Sequence, residues 1–391
     1  IQFGISVIIV RVITKEAFGM WSYANNILSF FLLVEGLGVV PGLLQFASSS
    51  KTKEEKLSYL KYALLVGILF NLGLAIAILL FTTFFQLPVR GSTEILRYLF
   101  LIPLVHVFFN ILQIFLRSDL RNKQFSIVTV INTLTFFFGV LIGGYLFDIL
   151  GIVWGRYLSY IISSFIALWF VKDYYKIFVN VKIPNKEQRQ DFLKFSIVSM
   201  LTNTISQMLY LLDTFLIGII IQSGTVVASY KTATLIPFAL NFIPSSVMTF
   251  AYPYFAKHKD DKNLVKNYFL KLQKYLLLLN LVISILLIVF APFVIRLIFG
   301  AEYLDSVLPF RILSFGYLIA GTFRIPAGNI IASLKKVKVN FYNSIISGGA
   351  NIVLDIILIK NYGSVGAAVA TVAVFVISSF VSNIYLRKYL K

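Results

Sequence analysis

Twelve apolar runs, with basic residues concentrated in every second gap between them, set what this chain can become. A helix needs about 20 apolar residues to cross a bilayer, so twelve crossings use roughly 240 residues. In a chain of 391 residues, the remaining connections are too short for a soluble catalytic domain. The runs are 1–12, 19–41, 62–85, 95–116, 126–148, 150–171, 195–221, 232–255, 275–299, 309–333, 340–360 and 364–386. The first is too short to span, so the numbering is expected to begin inside a helix. Charged residues make up 13% of the chain, against about 25% in soluble domains. The pattern predicts an all-α, polytopic membrane protein.

The formal charge of +19 would point to nucleic acid in a soluble protein, but its distribution here points elsewhere. Of 35 Lys and Arg, 25 follow the even-numbered runs: 51–61, 117–123, 172–194, 257–274, 335–338 and 387–391. Six (Arg11, Lys15, Arg90, Lys231, Arg296 and Lys360) lie on the other side, and four (Arg97, Arg156, Arg311 and Arg324) fall within runs. Cytoplasmic connections carry the excess of Lys and Arg. The even gaps and both termini are therefore expected in the cytoplasm, and no nucleic-acid partner is expected.

The basic segment 172–194, with Pro184, is the longest connection and divides the runs six and six. The expected organisation is an N-terminal six-helix bundle (1–171, first helix truncated), the cytoplasmic linker (172–194) and a C-terminal six-helix bundle (195–391). Asn185 with Gln188 resembles a capping box that opens the next helix. A weak repeat supports the division: GIVWGRYLSYIISSF (151–165) and GAAVATVAVFVISSF (366–380) each open the last helix of their half. Six is even, so the halves relate by a pseudo-two-fold along the membrane normal, a geometry that places a cavity between them in parallel-repeat transporters.

The segment from Asn351 through Asp355, Lys360, Gly363 and Gly366 to Thr371 resembles the polysaccharide transporter family of Wzx-like, lipid-linked oligosaccharide flippases. That family belongs to the multidrug/oligosaccharidyl-lipid/polysaccharide exporter superfamily. Similar segments follow the family in order: RVITKEAFG (11–19), LDTFLIG (212–218), GAEY (300–303) and GNIIASLKKVK (328–338). The resemblance implies a non-enzymatic flippase in a bacterial or archaeal plasma membrane. Its cargo would be a polyprenyl-diphosphate-linked oligosaccharide bound for surface polysaccharide such as O-antigen, with contact to the polymerase machinery.

A diphosphate and its sugars cannot cross hydrocarbon unaided, because unpaired polar groups cost several kcal/mol each there. Cationic side chains along the path lower that barrier. Arg324 is the strongest substrate-binding candidate, roughly 13 Å inside its run at 1.5 Å per residue and flanked by Gly321 and Pro326. Arg97 and Arg311 occupy matching places near the outer ends of runs four and ten, where snorkelling competes with an outer vestibule. Arg156 lies inside run six. Glu35, Asp213 and Asp355 are candidates for coupling to H⁺ or Na⁺, with pairing to a basic group as the structural alternative for each. His106 is either a proton-responsive group or a hydrogen-bonded packing residue.

No other cofactor is indicated: cysteine is absent, and His106 and His258 alone cannot make a histidine metal cluster. The sequence lacks a G-x-x-x-x-G-K-[S/T] nucleotide loop, and SSSKTKEEK stands where a major-facilitator porter carries G-x-x-x-D-R-x-G-R. Short outer gaps disfavour a polysaccharide polymerase or ligase. An ion-coupled multidrug extruder is the main alternative, and four intramembrane Arg against three acids favour an anionic cargo over cationic drugs. The orientation is testable because the chain has no native cysteine. A membrane-impermeant maleimide added to intact cells should label Arg90→Cys but not Lys182→Cys, and the reverse pattern would overturn it.

Overall fold

The computed structural model describes residues 2–391, which are helical nearly throughout, with no strand among the described residues. The first elements are α1 (Gln2–Val12) and α2 (Lys15–Leu32), the latter opened by Thr14, whose hydroxyl accepts from the Ala17 N–H at 3.3 Å. Gly36, Leu37 and Gly38 then take positive φ, so the helix breaks before α3 (Val39–Ser49) and bends by 41°. The continuous α4 (Lys53–Phe84) follows, with Thr52 capping Glu55 N at 3.1 Å. Next, α5 (Ser92–Tyr98) and α6 (Ile102–Ser118) form a second bent pair, at 47°.

The helical stretch Asn122–Phe170 comprises α7 (Asn122–Phe138), a π-turn over Gly139–Gly143, and α8 (Gly144–Phe170). Inside α8, Phe147 and Asp148 leave the helical region and the chain folds back. Gly139 and Gly143 on one limb meet Gly155 and Gly151 on the other. A Cβ on Gly151 would lie 1.8 Å from the Gly143 carbonyl oxygen, so only glycine allows this approach. Small residues four apart on both limbs are the usual means of close helix packing in lipid.

After α9 (Tyr175–Asn180), α10 (Lys186–Ile221) begins with reciprocal bonds between Asn185 and Gln188, at 2.9 and 3.1 Å. The capping box read in the sequence is thus present. There follow α11 (Gly224–Ala239), α12 (Phe242–Lys257), α13 (Lys262–Val289), α14 (Ala291–Ile298), α15 (Val307–Ile319) and α16 (Ile325–Ser333). The last stretch, α17 (Val337–Tyr389), breaks at Gly363, with φ 56°. Its limbs also fold back: Asn343 donates to the Ser378 carbonyl at 3.1 Å, and a Cβ on Gly366 would lie 2.0 Å from the Leu358 oxygen. Gly151 and Gly366, which begin the two copies of the sequence repeat, therefore do the same work in the two hairpins.

Among the described residues six helices are long and apolar enough to cross a membrane, or up to eight if each bent pair is one span. Counting the two hairpins as two passes each, and adding α1 and α10, the described residues accommodate the twelve passes expected from the sequence. Contacts divide the chain into one compact unit ending at Leu211 and another spanning Leu212–Lys391. This division falls within α10, beyond the 172–194 linker, because the first part of α10 packs into the first unit. Phe192 stacks on Tyr59 at 5.8 Å between centroids, and Gly38 and Gly42 lie against Ser196.

The linker is itself docked to the first unit. Asp119 accepts from Lys56 Nζ at 3.0 Å, Arg121 Nε at 3.0 Å and the Tyr174 hydroxyl at 2.7 Å. Burial pushes the Asp119 carboxyl up, but these hydrogen bonds and the Lys56 charge outweigh burial and hold it below the usual carboxylate range. Gly151→Ala tests the first hairpin. Its methyl must force the limbs apart, so the melting temperature in detergent should fall, whereas Gly73→Ala, where nothing lies within 4 Å, should leave it unchanged. Equal melting of both variants would refute the packing described.

Candidate functional site: two intramembrane polar clusters

In the first unit, the break between α2 and α3 exposes backbone groups that no helix satisfies. Fully buried Asn71 on α4 meets this need: its side-chain oxygen accepts from Gly36 N at 2.7 Å and its amide donates to the Pro103 carbonyl at 2.6 Å. One side chain therefore ties the α2/α3 break to the first turn of α6. The break places Glu35 beside His106, with Oε1 2.6 Å from Nδ1, and Asn110 Nδ2 is 3.4 Å from the other carboxylate oxygen. The Tyr160 ring lies edge-on to His106 at 5.0 Å, and Arg156, one turn before Tyr160, donates to the Asn25 side-chain oxygen. Glu35 thus has a basic partner, and His106 is both hydrogen-bonded and half-buried.

In the second unit, α10 and both limbs of α17 converge on two carboxyl groups. Asp213 is 6% exposed and Asp355 is fully buried. Asp213 accepts from Thr371 Oγ1 at 2.6 Å, from Asn351 Nδ2 at 3.2 Å and from the Tyr230 hydroxyl. Among the described residues no hydrogen-bond partner reaches either oxygen of Asp355 or the side-chain oxygen of Asn351. Buried polar atoms are seldom left unpaired. A cluster of two carboxyl groups, the Asn351 side-chain oxygen and the hydroxyls of Tyr230 and Thr371 is chemically suited to a proton or a small hard cation. No cluster of three or more His, Cys, Asp or Glu occurs among the described residues.

Arg324 ends a π-turn over Ala320–Arg324 that precedes Pro326. Asn383 donates to the Phe323 carbonyl at 2.9 Å, supporting the backbone at this turn. The guanidinium lies over the Phe375 ring, 4.9 Å from its centroid, and among the described residues no carboxylate pairs with it. The structural pairing considered from sequence, with Asp213 or Asp355, does not occur: those acids are engaged by Tyr230, Thr371 and Asn351 or by nothing.

Arg97 and Arg311 have matching partners. Arg97 donates to the Thr82 carbonyl at 2.6 Å and Arg311 to the Ile288 carbonyl at 3.0 Å, each in the last turn of the long helix before it. Both side chains are exposed, and both satisfy carbonyls at the negative end of a helix dipole. The structure thus brings Asp213 together with Asp355, groups Glu35 with His106, and holds Arg97, Arg311 and Arg324 in separate environments. Asn71, Asn25 and Tyr230 escaped the sequence reading. Asn351 was legible in principle, since it lies four residues before Asp355 and so shares its helix face.

Residues 8–308 match the polysaccharide biosynthesis protein family. The chain belongs to that family. No curated protein sequence matches it. Among solved structures, an inward-facing multidrug resistance MATE family transporter of the MOP superfamily is similar with a TM-score of 0.84 at 14% identity, covering 99% of this chain and 94% of that one. Lipid II flippase MurJ, in an inward closed conformation, gives 0.78 at 19% identity over 99% and 85%. A MOP superfamily transporter from Pyrococcus furiosus gives 0.64 at 16% identity over 100% and 91%. At these identities the likeness is one of fold: this polysaccharide biosynthesis family member is a multi-pass membrane protein with the MOP transporter fold.

The Asn71 clamp gives a direct test. Asn71→Leu keeps the bulk but strands the Gly36 N–H and the Pro103 carbonyl. Each stranded buried group costs about 1–3 kcal/mol, so the variant should melt at a clearly lower temperature in detergent. Wild-type melting would show that the clamp contributes nothing to stability.

Proposed function

We propose that this protein is a flippase that moves a polyprenyl-diphosphate-linked oligosaccharide from the cytoplasmic to the outer leaflet of a bacterial or archaeal plasma membrane. The product would feed surface polysaccharide assembly by a polymerase. Family membership supports the pathway, and the fold, shared with both a lipid II flippase and multidrug transporters, supports transport. Arg324 is the observation that favours an anionic cargo over cationic drugs. Its charge is unpaired by any described carboxylate, and its guanidinium carbon lies 4.9 Å from the Phe375 ring centroid. A guanidinium without a carboxylate partner keeps N–H donors for bidentate contact with a diphosphate. Arg156 offers a further positive charge, whereas Arg97 and Arg311 act chiefly as helix caps.

Transport by alternating access needs an energy source, and the Asp213–Asp355 pocket is the strongest candidate for a coupling-ion site. Two adjacent buried carboxyl groups need a proton or a cation between them. Asn351 and Thr371 would complete an oxygen donor set for Na⁺, and a proton would serve the carboxyl pair alone. The Glu35–His106 pair has its own internal partner and is the weaker candidate.

The full-length protein in proteoliposomes, with a fluorescent polyprenyl-diphosphate oligosaccharide, tests the proposal. Head-group access from the opposite face should exceed that of empty liposomes. Arg324→Ala removes a charge-assisted contact worth about 1.5–3 kcal/mol and should slow transfer by about ten- to a hundredfold. Arg324→Lys should restore part of the rate. An imposed Na⁺ or proton gradient should accelerate the wild type and not Asp355→Asn. No gain of access, with export of a cationic dye in the same vesicles, would establish a multidrug extruder instead.

A further inference from the structure

The first unit carries a long apolar trough that the functional reading leaves unused. One cavity of about 640 Å³ is walled by Leu57, Leu60 and Leu64 of α4, Phe108 and Leu112 of α6 and Leu168 of α8. A second, of about 350 Å³, is bounded by Ile68, Leu104 and Ile161 and shares Phe108 and Leu168 with the first. The two therefore adjoin along the same three helices. From Leu57 to Ile68 the α4 wall runs about 16 Å at 1.5 Å per residue, roughly half of a 30 Å hydrocarbon core. Ser164 is the one polar side chain in the inner cavity.

The wide end is basic. Lys172 lines it, and Lys53 lies 5.8 Å from the centroid of Tyr174, another wall residue. This end belongs to the side that the distribution of Lys and Arg assigns to the cytoplasm. The wall there is built in advance: the Tyr174 hydroxyl is bonded to Asp119, and Lys61 reaches the carbonyls of Val179 and Val181 at 3.2 and 2.8 Å, anchoring the end of α9. Phe178 of α9 completes the lining.

The geometry points to a seat for the tail of a single-chain anionic lipid, a polyprenyl phosphate, with its first isoprene units in the trough and its phosphate at Lys172 and Lys53. Two features favour this occupant: the apolar lining matches hydrocarbon, and the cationic mouth matches phosphate at the membrane surface. The assignment rests on the flippase reading for its choice of lipid, and it adds a holding site for the tail while the head group is transferred elsewhere.

The test uses the full-length protein in nanodiscs and a polyprenyl phosphate carrying a diazirine near its phosphate end. Labelled peptides should cover 57–68, 104–115 and 161–178. Unlabelled polyprenyl phosphate should compete, and excess phosphatidylglycerol should not. Leu168→Trp fills the junction of the two cavities and should abolish labelling, while Lys172→Glu, outside the packed core, should weaken it with an unchanged melting temperature. Labelling elsewhere, equal competition by phosphatidylglycerol, or full labelling of a Leu168→Trp variant that still melts cooperatively would overturn the assignment. Head-group transfer in proteoliposomes separates the two ideas. Transfer without trough labelling sinks the trough alone, and trough labelling without transfer sinks the flippase reading while the lipid seat stands.

Discussion

Every backbone polar group inside a bilayer must find a partner within the protein, and this constraint governs where the chain departs from regular helix. Two interruptions are matched to a polar side chain on a neighbouring helix. Asn71 serves the α2/α3 break, and Asn383 serves the π-turn before Arg324. Arg97 and Arg311 cap the ends of α4 and α13. The hairpin turns use a different device: glycines bring backbones so close that no side chain could intervene. Departures from helix are thus costly, supported, and concentrated where charged side chains need to be placed.

The same constraint explains why the acidic residues differ in character. Glu35 sits at a helix break and acquires a histidine, an asparagine and an adjoining tyrosine, so its charge is answered locally. Asp213 and Asp355 sit on unbroken stretches of α10 and α17; Asp213 accepts from three donors, whereas no donor reaches the Asp355 oxygens among the described residues. The first arrangement resembles a structural pair. The second leaves both Asp355 oxygens and the Asn351 side-chain oxygen without a hydrogen-bond partner among the described residues.

Much of the architecture was legible from sequence because lipid removes most alternatives. Apolar runs of spanning length can only be helices, and the Asn185–Gln188 box appears where the pattern put it. The repeat beginning at Gly151 and Gly366 was visible as matching letters, although its meaning, two tight hairpins, emerged only in three dimensions. The unit boundary was not legible. The basic linker is conspicuous in composition, yet the aromatic contact of Phe192 with Tyr59 ties the start of α10 to the first unit, a long-range packing effect without local signature. Single buried asparagines such as Asn71 were invisible for the same reason, since an isolated polar letter in an apolar run does not say which break it serves.

The four intramembrane arginines show why charge alone is a weak guide to function in lipid. By sequence they differ only in depth, Arg324 lying deep, Arg156 inside run six, and Arg97 and Arg311 near the outer ends of their runs. By environment they separate: Arg97 and Arg311 terminate helices, Arg156 is engaged by Asn25, and Arg324 stacks on an aromatic face beside a distorted turn. Arg97 and Arg311 each give one donor to a carbonyl at a helix end. Arg324 instead lies over the Phe375 ring beside the Ala320–Arg324 turn, and among the described residues no carboxylate pairs with it, so its environment differs from that of the two helix-end arginines.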